Sequence, residues 1–126
     1  FFSVRILGGG LARVGWSTST GSLDIGTDRQ SIGYGGTGRY SHNQQFDPYG
    51  EAFFAGDEIN CYLDLSTNEG KTSGGVVHFS KNGKLFPQLA LPGSLSGEYL
   101  FPSFTMKGSY LQFDFTTKDT SHKKFS

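Results

Sequence analysis

The chain is predicted to be all-β, an antiparallel sandwich or barrel. Three observations carry this expectation. Apolar residues alternate with polar ones at period two along several runs, helical i, i+3, i+4 spacing is nearly absent, and turn-forming residues separate the runs. Phe2, Val4 and Ile6 alternate with Ser3 and Arg5. Ala12, Val14 and Trp16 alternate with Arg13 and Gly15. Ile59, Cys61, Leu63 and Leu65 alternate with Asn60, Tyr62 and Asp64. Val77 and Phe79 flank His78, and Leu111, Phe113 and Phe115 flank Gln112 and Asp114. Each run reads as a strand with one face in a core and the other towards water or a second layer.

Between the runs stand Gly8-Gly9-Gly10, Ser19-Thr20-Gly21-Ser22, Gly35-Gly36-Thr37-Gly38, Gly56-Asp57, Asn68-Glu69-Gly70 and Pro92-Gly93. Asn82-Gly83, between Val76–Ser80 and Lys84–Leu85, is a type I′ hairpin signal, because both turn positions need φ > 0. At 126 residues the chain is expected to hold one domain, 1–117, followed by a polar tail, 118–126.

Composition excludes several classes. Lys and Arg number 11 and Asp and Glu 11, which is not the balance of a strongly cationic nucleic-acid binder. High aromatic content (Phe 12) with balanced charge argues against disorder. Cys61 is the single cysteine, so no internal disulfide and no Cys-based zinc site can form. That points to a reducing compartment, and the chain is expected to be intracellular, in the cytoplasm, the nucleus or both. Charge is uneven: residues 51–70 hold Glu51, Asp57, Glu58, Asp64 and Glu69 without Lys or Arg, while 71–126 hold seven Lys against three acids. Solvated loops are the expected explanation.

Individual motifs point away from catalysis. Gly33-Tyr34-Gly35-Gly36-Thr37-Gly38 fits GxGxxG, but the following Arg39–Pro48 lacks the apolar stripe of the helix that would hold a pyrophosphate. Strand-ending glycines explain it better. Cys61 lies on the apolar side of its run and reads as a core thiol. His42 (in a loop), His78 (on a polar strand face) and His122 (in the tail) lack ligand spacing. Asp24, Asp28 and Asp47 do not fit a calcium loop and read as turn and strand-end residues. Trp16 shares parity with Val14 and is expected in the core, where its indole N–H needs a partner. No metal and no cofactor are expected. Arg39 and Tyr40, in a polar Gly-rich segment, form a pair common at recognition surfaces.

Taken together, several segments resemble a SPRY domain. They are Phe1–Val4, the Ala12-Arg13-Val14-Gly15-Trp16-Ser17 strand, Leu23–Asp28, Ser31–Gly35, Tyr49–Phe53, Gly56–Leu65, Val77–Gly83 and Leu100–Phe104, in that order over about residues 1–115. The stretch Gly36–Asp47 is similar to the SPRY insert of a DEAD-box RNA helicase subfamily. The resemblance implies a bent antiparallel β-sandwich of concanavalin-like, jelly-roll architecture. It also implies a monomeric, non-catalytic module that binds a protein or peptide through loops at one end. Carried over by position, these are Ser17–Ser22, Gly35–Asp47 and Lys81–Lys84, with Ser66–Gly75 beside them. Asn68–Gly75 reads as an extra insertion. The candidate binding residues are Thr18, Ser19, Arg29, Arg39, Tyr40, His42, Gln44, Lys81 and Lys84. An alternative is an accessory RNA-binding surface in which Arg29, Arg39, Lys71, Lys81 and Lys84 form a basic patch. Membrane binding, sugar binding and an enzymatic role for this chain are disfavoured.

Overall fold

The alternating runs become strands in a computed structural model, which describes residues 1–68, 71–95, 97–108 and 111–114, with side chains for all of these except 66–68, 71–74 and 113–114. In chain order the strands are β1 (Phe2–Ile6), β2 (Leu11–Ser17), β3 (Ser31–Gly35), β4 (Arg39–His42), β5 (Gln45–Pro48), β6 (Glu58–Asn68), β7 (Lys71–Lys81), β8 (Lys84–Leu85), β9 (Leu89–Ala90), β10 (Phe101–Lys107) and β11 (Leu111–Asp114). The helical element among the described residues is a single 3-10 turn at Gly93–Leu95. Phe115 and the tail fall outside the described residues.

The strands form two antiparallel sheets. One runs β11-β1-β6-β7-β8, with β9 also on β7, and the other runs β10-β2-β3-β4-β5. Their facing sides supply the core: Phe2, Val4 and Ile6 from β1, Ile59 and Cys61 from β6, Val77 and Phe79 from β7, against Ala12, Val14 and Trp16 from β2 and Ile32 and Tyr34 from β3. Period-two alternation thus places one side of β1, β2, β6 and β7 inside, as expected for stacked sheets. Cys61 and Trp16 are buried in this core and His78 faces outward. Leu65, grouped with the apolar side of its run, is exposed at the far end of β6.

An aromatic cluster centres on Tyr34, whose ring lies 5.2 to 5.8 Å from those of Phe53, Phe79, Tyr49 and Phe86. Most of these contacts are edge-on or tilted, the favoured arrangement for rings. Gly50 makes room for the cluster: a Cβ there would stand 2.8 Å from Phe86 and 2.9 Å from the Tyr34 hydroxyl.

Three expectations about connections need correction. Residues 35–47 are not one long loop, because Arg39–His42 pairs with Gln45–Pro48 as a hairpin. His42 and Asp47 are therefore strand residues. The turn is Asn43-Gln44, both at positive φ (53° and 66°). Asn tolerates that conformation, whereas Gln gives no sequence signal for it. The loop expected at Ser66–Gly75 is instead largely strand, since β6 and β7 stay paired from Ile59↔Lys81 out to Asn68↔Lys71 with a register shift at Ser66/Thr67. The Asn82-Gly83 hairpin, by contrast, forms as expected, with φ of 51° and 87° and Lys81 opposite Lys84.

Residues 18–30 fold back over the outer face of the second sheet. That face is lined by Gly15, Gly33, Ser31 and Ser41, small enough to let Ile25 bury against it. Arg13 crosses the face above Gly33, where a Cβ would collide with its Cγ at 2.7 Å. Its guanidinium donates to Asp24 (2.7 Å) and to the Ile25 carbonyl (2.6 Å) and sits 5.1 Å from the Phe46 ring centre. Asp28 organises the segment by accepting from the Ser22 and Gln30 N–H groups and the Ser31 hydroxyl.

Candidate interaction site

The candidate residues do not meet on one surface. Strand β3 separates them into two groups roughly 10–13 Å apart, three to four residue steps along a strand. Near its Gly35 end lie Arg39, Lys81 and Lys84. Near its Ser31 end lie Thr18, Ser19, Arg29, His42 and Gln44.

At the Ser31 end most of these groups serve the fold. Thr18 is buried; its N–H donates to the Gln30 carbonyl (2.9 Å) and its hydroxyl to Gln30 Oε1 (3.0 Å). His42 is half-buried, with Nδ1 3.0 Å from the Ser31 carbonyl, so this nitrogen carries the proton. Gln44 is exposed, but its N–H donates to Gly26 (3.0 Å), as that of Asn43 does to Asp28 (2.9 Å). These bonds dock the hairpin tip on the covering segment. Arg29 is exposed, and its carbonyl accepts from the Ser94 hydroxyl (2.7 Å). Ser19 is exposed. Tyr40 points inward and packs 6.0 Å from Tyr49. Its hydroxyl is buried without a hydrogen-bond partner among the described residues, and burial pushes its pKa up.

The Gly35 end is built differently. Turns from both sheets are fastened to one another there. Gly50 donates to Gly38 (2.9 Å), Phe53 to Gly36 (3.0 Å) and Asn82 to Glu58 (2.8 Å), and the Tyr34 hydroxyl donates to the Glu51 carbonyl. The Glu51 carboxylate accepts from Lys84 and pairs with Lys81 at 3.0 Å. The Lys84 bond, then the Lys81 bond, hold its pKa below the usual carboxylate value. Lys81 also donates to the Ala52 carbonyl (3.2 Å), and its side chain is only 19% exposed. The acidic 51–70 stretch is therefore partly spent on the basic hairpin rather than on solvated loops alone.

Several large groups stand out from this fastened frame. Arg39 is exposed at the start of β4, Phe54 is 69% exposed and Leu85 is 64% exposed. Exposed apolar residues in the acidic 51–54 turn gave no periodic signal, so sequence reasoning missed Phe54. The five cations of the alternative reading do not form one patch. Arg29 lies at the opposite end, Lys81 and Lys84 are paired with Glu51, and the Lys71 side chain is outside the described set.

The outer face of the first sheet carries a ring stack that sequence reasoning also missed. Phe1 lies 5.1 Å from Tyr62, which lies 4.5 Å from His78 at an interplanar angle of 9°. Burial lowers the His78 pKa. Trp16 is in the core as expected, but its indole N–H has no hydrogen-bond partner among the described residues. Burial pushes the Cys61 thiol well up, consistent with a packing role. The Gly33–Gly38 glycines end β3 and form a tight turn into β4, where Gly38 donates to Gly35 (2.9 Å).

Two antiparallel sheets, an apolar interior and fastened turns displaying side chains at the ends define a β-sandwich of the loop-presenting kind. The chain belongs to the SPRY domain family, which it matches over residues 1–118. A solved human SPRY domain superposes with a TM-score of 0.75 at 22% identity, covering 93% of this chain and 76% of that one. Among curated proteins, the ATP-dependent RNA helicase DDX1 of Xenopus laevis and Ddx1 of Drosophila melanogaster are each 43% identical over 120 residues. Those matches cover 94% of this chain but only 15% and 16% of the helicases, so the chain corresponds to a small part of their length. Mouse heterogeneous nuclear ribonucleoprotein U-like protein 2 is 38% identical over 74 residues, 59% of this chain.

Proposed function

We propose that the chain is a non-catalytic protein-binding module and that it docks a protein or peptide through the Gly35 end. One observation carries this reading: Arg39, Phe54, Lys84 and Leu85 are exposed at an end where the 49–57 connection is hydrogen-bonded by its backbone to the β3–β4 turn and tied through Glu51 to the β7–β8 hairpin. Aromatic and Arg side chains dominate binding hot spots, and a rigid display reduces the ordering cost of association. At the Ser31 end, by contrast, Thr18, His42 and the hairpin backbone are engaged in internal bonds.

We further propose that the chain is a segment of an ATP-dependent RNA helicase. Identity of 43% to two such helicases over nearly the whole chain supports this, and the module would then bring a protein to the helicase. The flanking coding sequence is expected to carry the helicase motifs.

The binding test is an alanine pair at each end, assayed by titration against proteins captured on the immobilised chain. Replacing Arg39 and Phe54 is expected to weaken binding by about 1–2 kcal/mol or more, whereas replacing Ser19 and Gln44 leaves it unchanged. The reverse pattern would transfer the site to the other end. Single-stranded RNA that bound tightly at low salt and was released as salt rose would replace a protein partner with a nucleic acid.

A further inference from the structure

The Asn82-Gly83 turn joins an exposed amide side chain to an exposed glycine. Both residues are exposed, and a Cβ built on Gly83 would meet nothing within 4 Å. With no side chain on the following residue, an asparagine before glycine meets the least steric barrier to attack by the next residue's nitrogen. Yet the amide is held at both ends. Asn82 Oδ1 accepts from the Glu58 N–H (2.8 Å) and Nδ2 donates to Asp57 Oδ1 (2.8 Å). The Asn82 N–H donates to the Glu58 carbonyl (2.8 Å). Asp57 is itself anchored, since its other oxygen accepts from the Phe54 N–H (2.8 Å) and its own N–H donates to the Phe54 carbonyl (3.0 Å).

We propose that Asn82 is a deamidation site that the Asp57 carboxylate holds closed. When the clamp opens, Cγ swings to the Gly83 nitrogen. That nitrogen loses its proton to solvent base and bonds to Cγ, and the Cγ–Nδ2 bond breaks. Ammonia leaves with a proton from water, and a cyclic imide forms. A water molecule then opens either imide carbonyl, giving aspartate or isoaspartate. The sum is asparagine plus water to aspartate plus ammonia, with no oxidant or reductant.

The change cannot be accommodated in place. A carboxylate at position 82 would face the Asp57 carboxylate where a donor stood, and like charges at that distance repel. The surrounding charges are now matched, with Glu51, Asp57 and Glu58 beside Arg5, Lys81 and Lys84. A further carboxylate gives this end a surplus of negative charge. The isoaspartate product also reroutes the backbone of the turn that carries Lys81 and Lys84. Ageing at one residue thus remodels this end of the sandwich, whatever it binds.

The test follows ammonia release and the mass of the 81–84 turn peptide in the whole chain, folded and denatured, at mildly alkaline pH. The folded chain is expected to react about ten-fold slower or more than the denatured one, the effect of a retained charged hydrogen bond. Asp57→Ala is expected to remove most of that protection, while Ile25→Ala, destabilising at the opposite end, leaves it in place. Should Asp57→Ala not fold, Asp57→Leu, which offers the Asn82 amide no acceptor, replaces it with the same expectation. A folded wild type that reacts as fast as the denatured chain overturns the proposal. So do equal rates in the Asp57 and Ile25 variants, which would mean general loosening, and an unchanged rate in the Asp57 variant.

Discussion

Tyr34 shows how one residue serves both the core and the surface. Its ring anchors the aromatic cluster and its hydroxyl reaches the Glu51 carbonyl. Burial, the larger cause, raises its pKa, so the hydroxyl stays a donor throughout the neutral range. Tyr34→Phe is expected to cost about 1–2 kcal/mol by leaving that carbonyl short of a donor. Tyr34→Ala is expected to cost about 3–5 kcal/mol by opening a cavity. Denaturant titration separates the two. Glu51 and Asp57 also act singly, through pH. Lysine bonds depress the Glu51 pKa, and the Asn82 amide, first among its causes, depresses that of Asp57. A carboxyl whose pKa is lower folded than unfolded stabilises above the ordinary carboxylate range and loses that contribution as pH falls through the folded value. Melting temperature should therefore be flat near neutrality and fall in acid, and Glu51→Gln should shallow that fall. Parity made Cys61, Trp16 and His78 legible in the sequence, because each sits in a run of clear alternation. Tyr40 was not legible, since its run between Gly38 and Asn43 is too short and too polar to reveal which side faces in.

At the level of elements, hairpins with an Asn-Gly turn announce themselves and those without do not. The β7–β8 hairpin was readable from Asn82-Gly83, while the β4–β5 hairpin hid behind Asn43-Gln44. The covering segment 18–30 was equally silent. It is neither strand nor helix, and its single deeply buried apolar anchor, Ile25, lies among polar residues. Its fit depends on the small outer residues of β2, β3 and β4, whose partnership only the fold reveals. Ile25→Ala is expected to cost about 2–4 kcal/mol and to raise amide exchange across 18–30 and the tip at Asn43-Gln44, with little change at Asn82. Gly33→Ala is expected to displace Arg13 from the sheet, releasing Asp24 and Phe46 together; the same exchange measurement would register it around those residues.

For the whole molecule, the two-sheet class was legible because alternation survives any strand order. Which turns share an end was not legible, because that depends on how the strands are ordered and directed. The expected single binding surface therefore splits in two once β3 is seen to separate Arg39 from His42 and Thr18. Global behaviour has a built-in reporter in Cys61, which is fully buried between the sheets. Alkylation of this thiol is expected to be negligible in the native state and to track full opening, so its rate should rise with denaturant in step with loss of sheet structure.

Ladder hydrogen bonds run within each sheet, while apolar packing between sheets has no preferred direction and by itself tolerates sliding. Glu51 supplies what packing does not. Its carbonyl takes the hydroxyl of Tyr34 from one layer and its carboxylate takes Lys81 and Lys84 from the other. It acts as a rivet that fixes the offset of the two layers, so shear applied along the strands would have to break this one residue's bonds before the layers could slip.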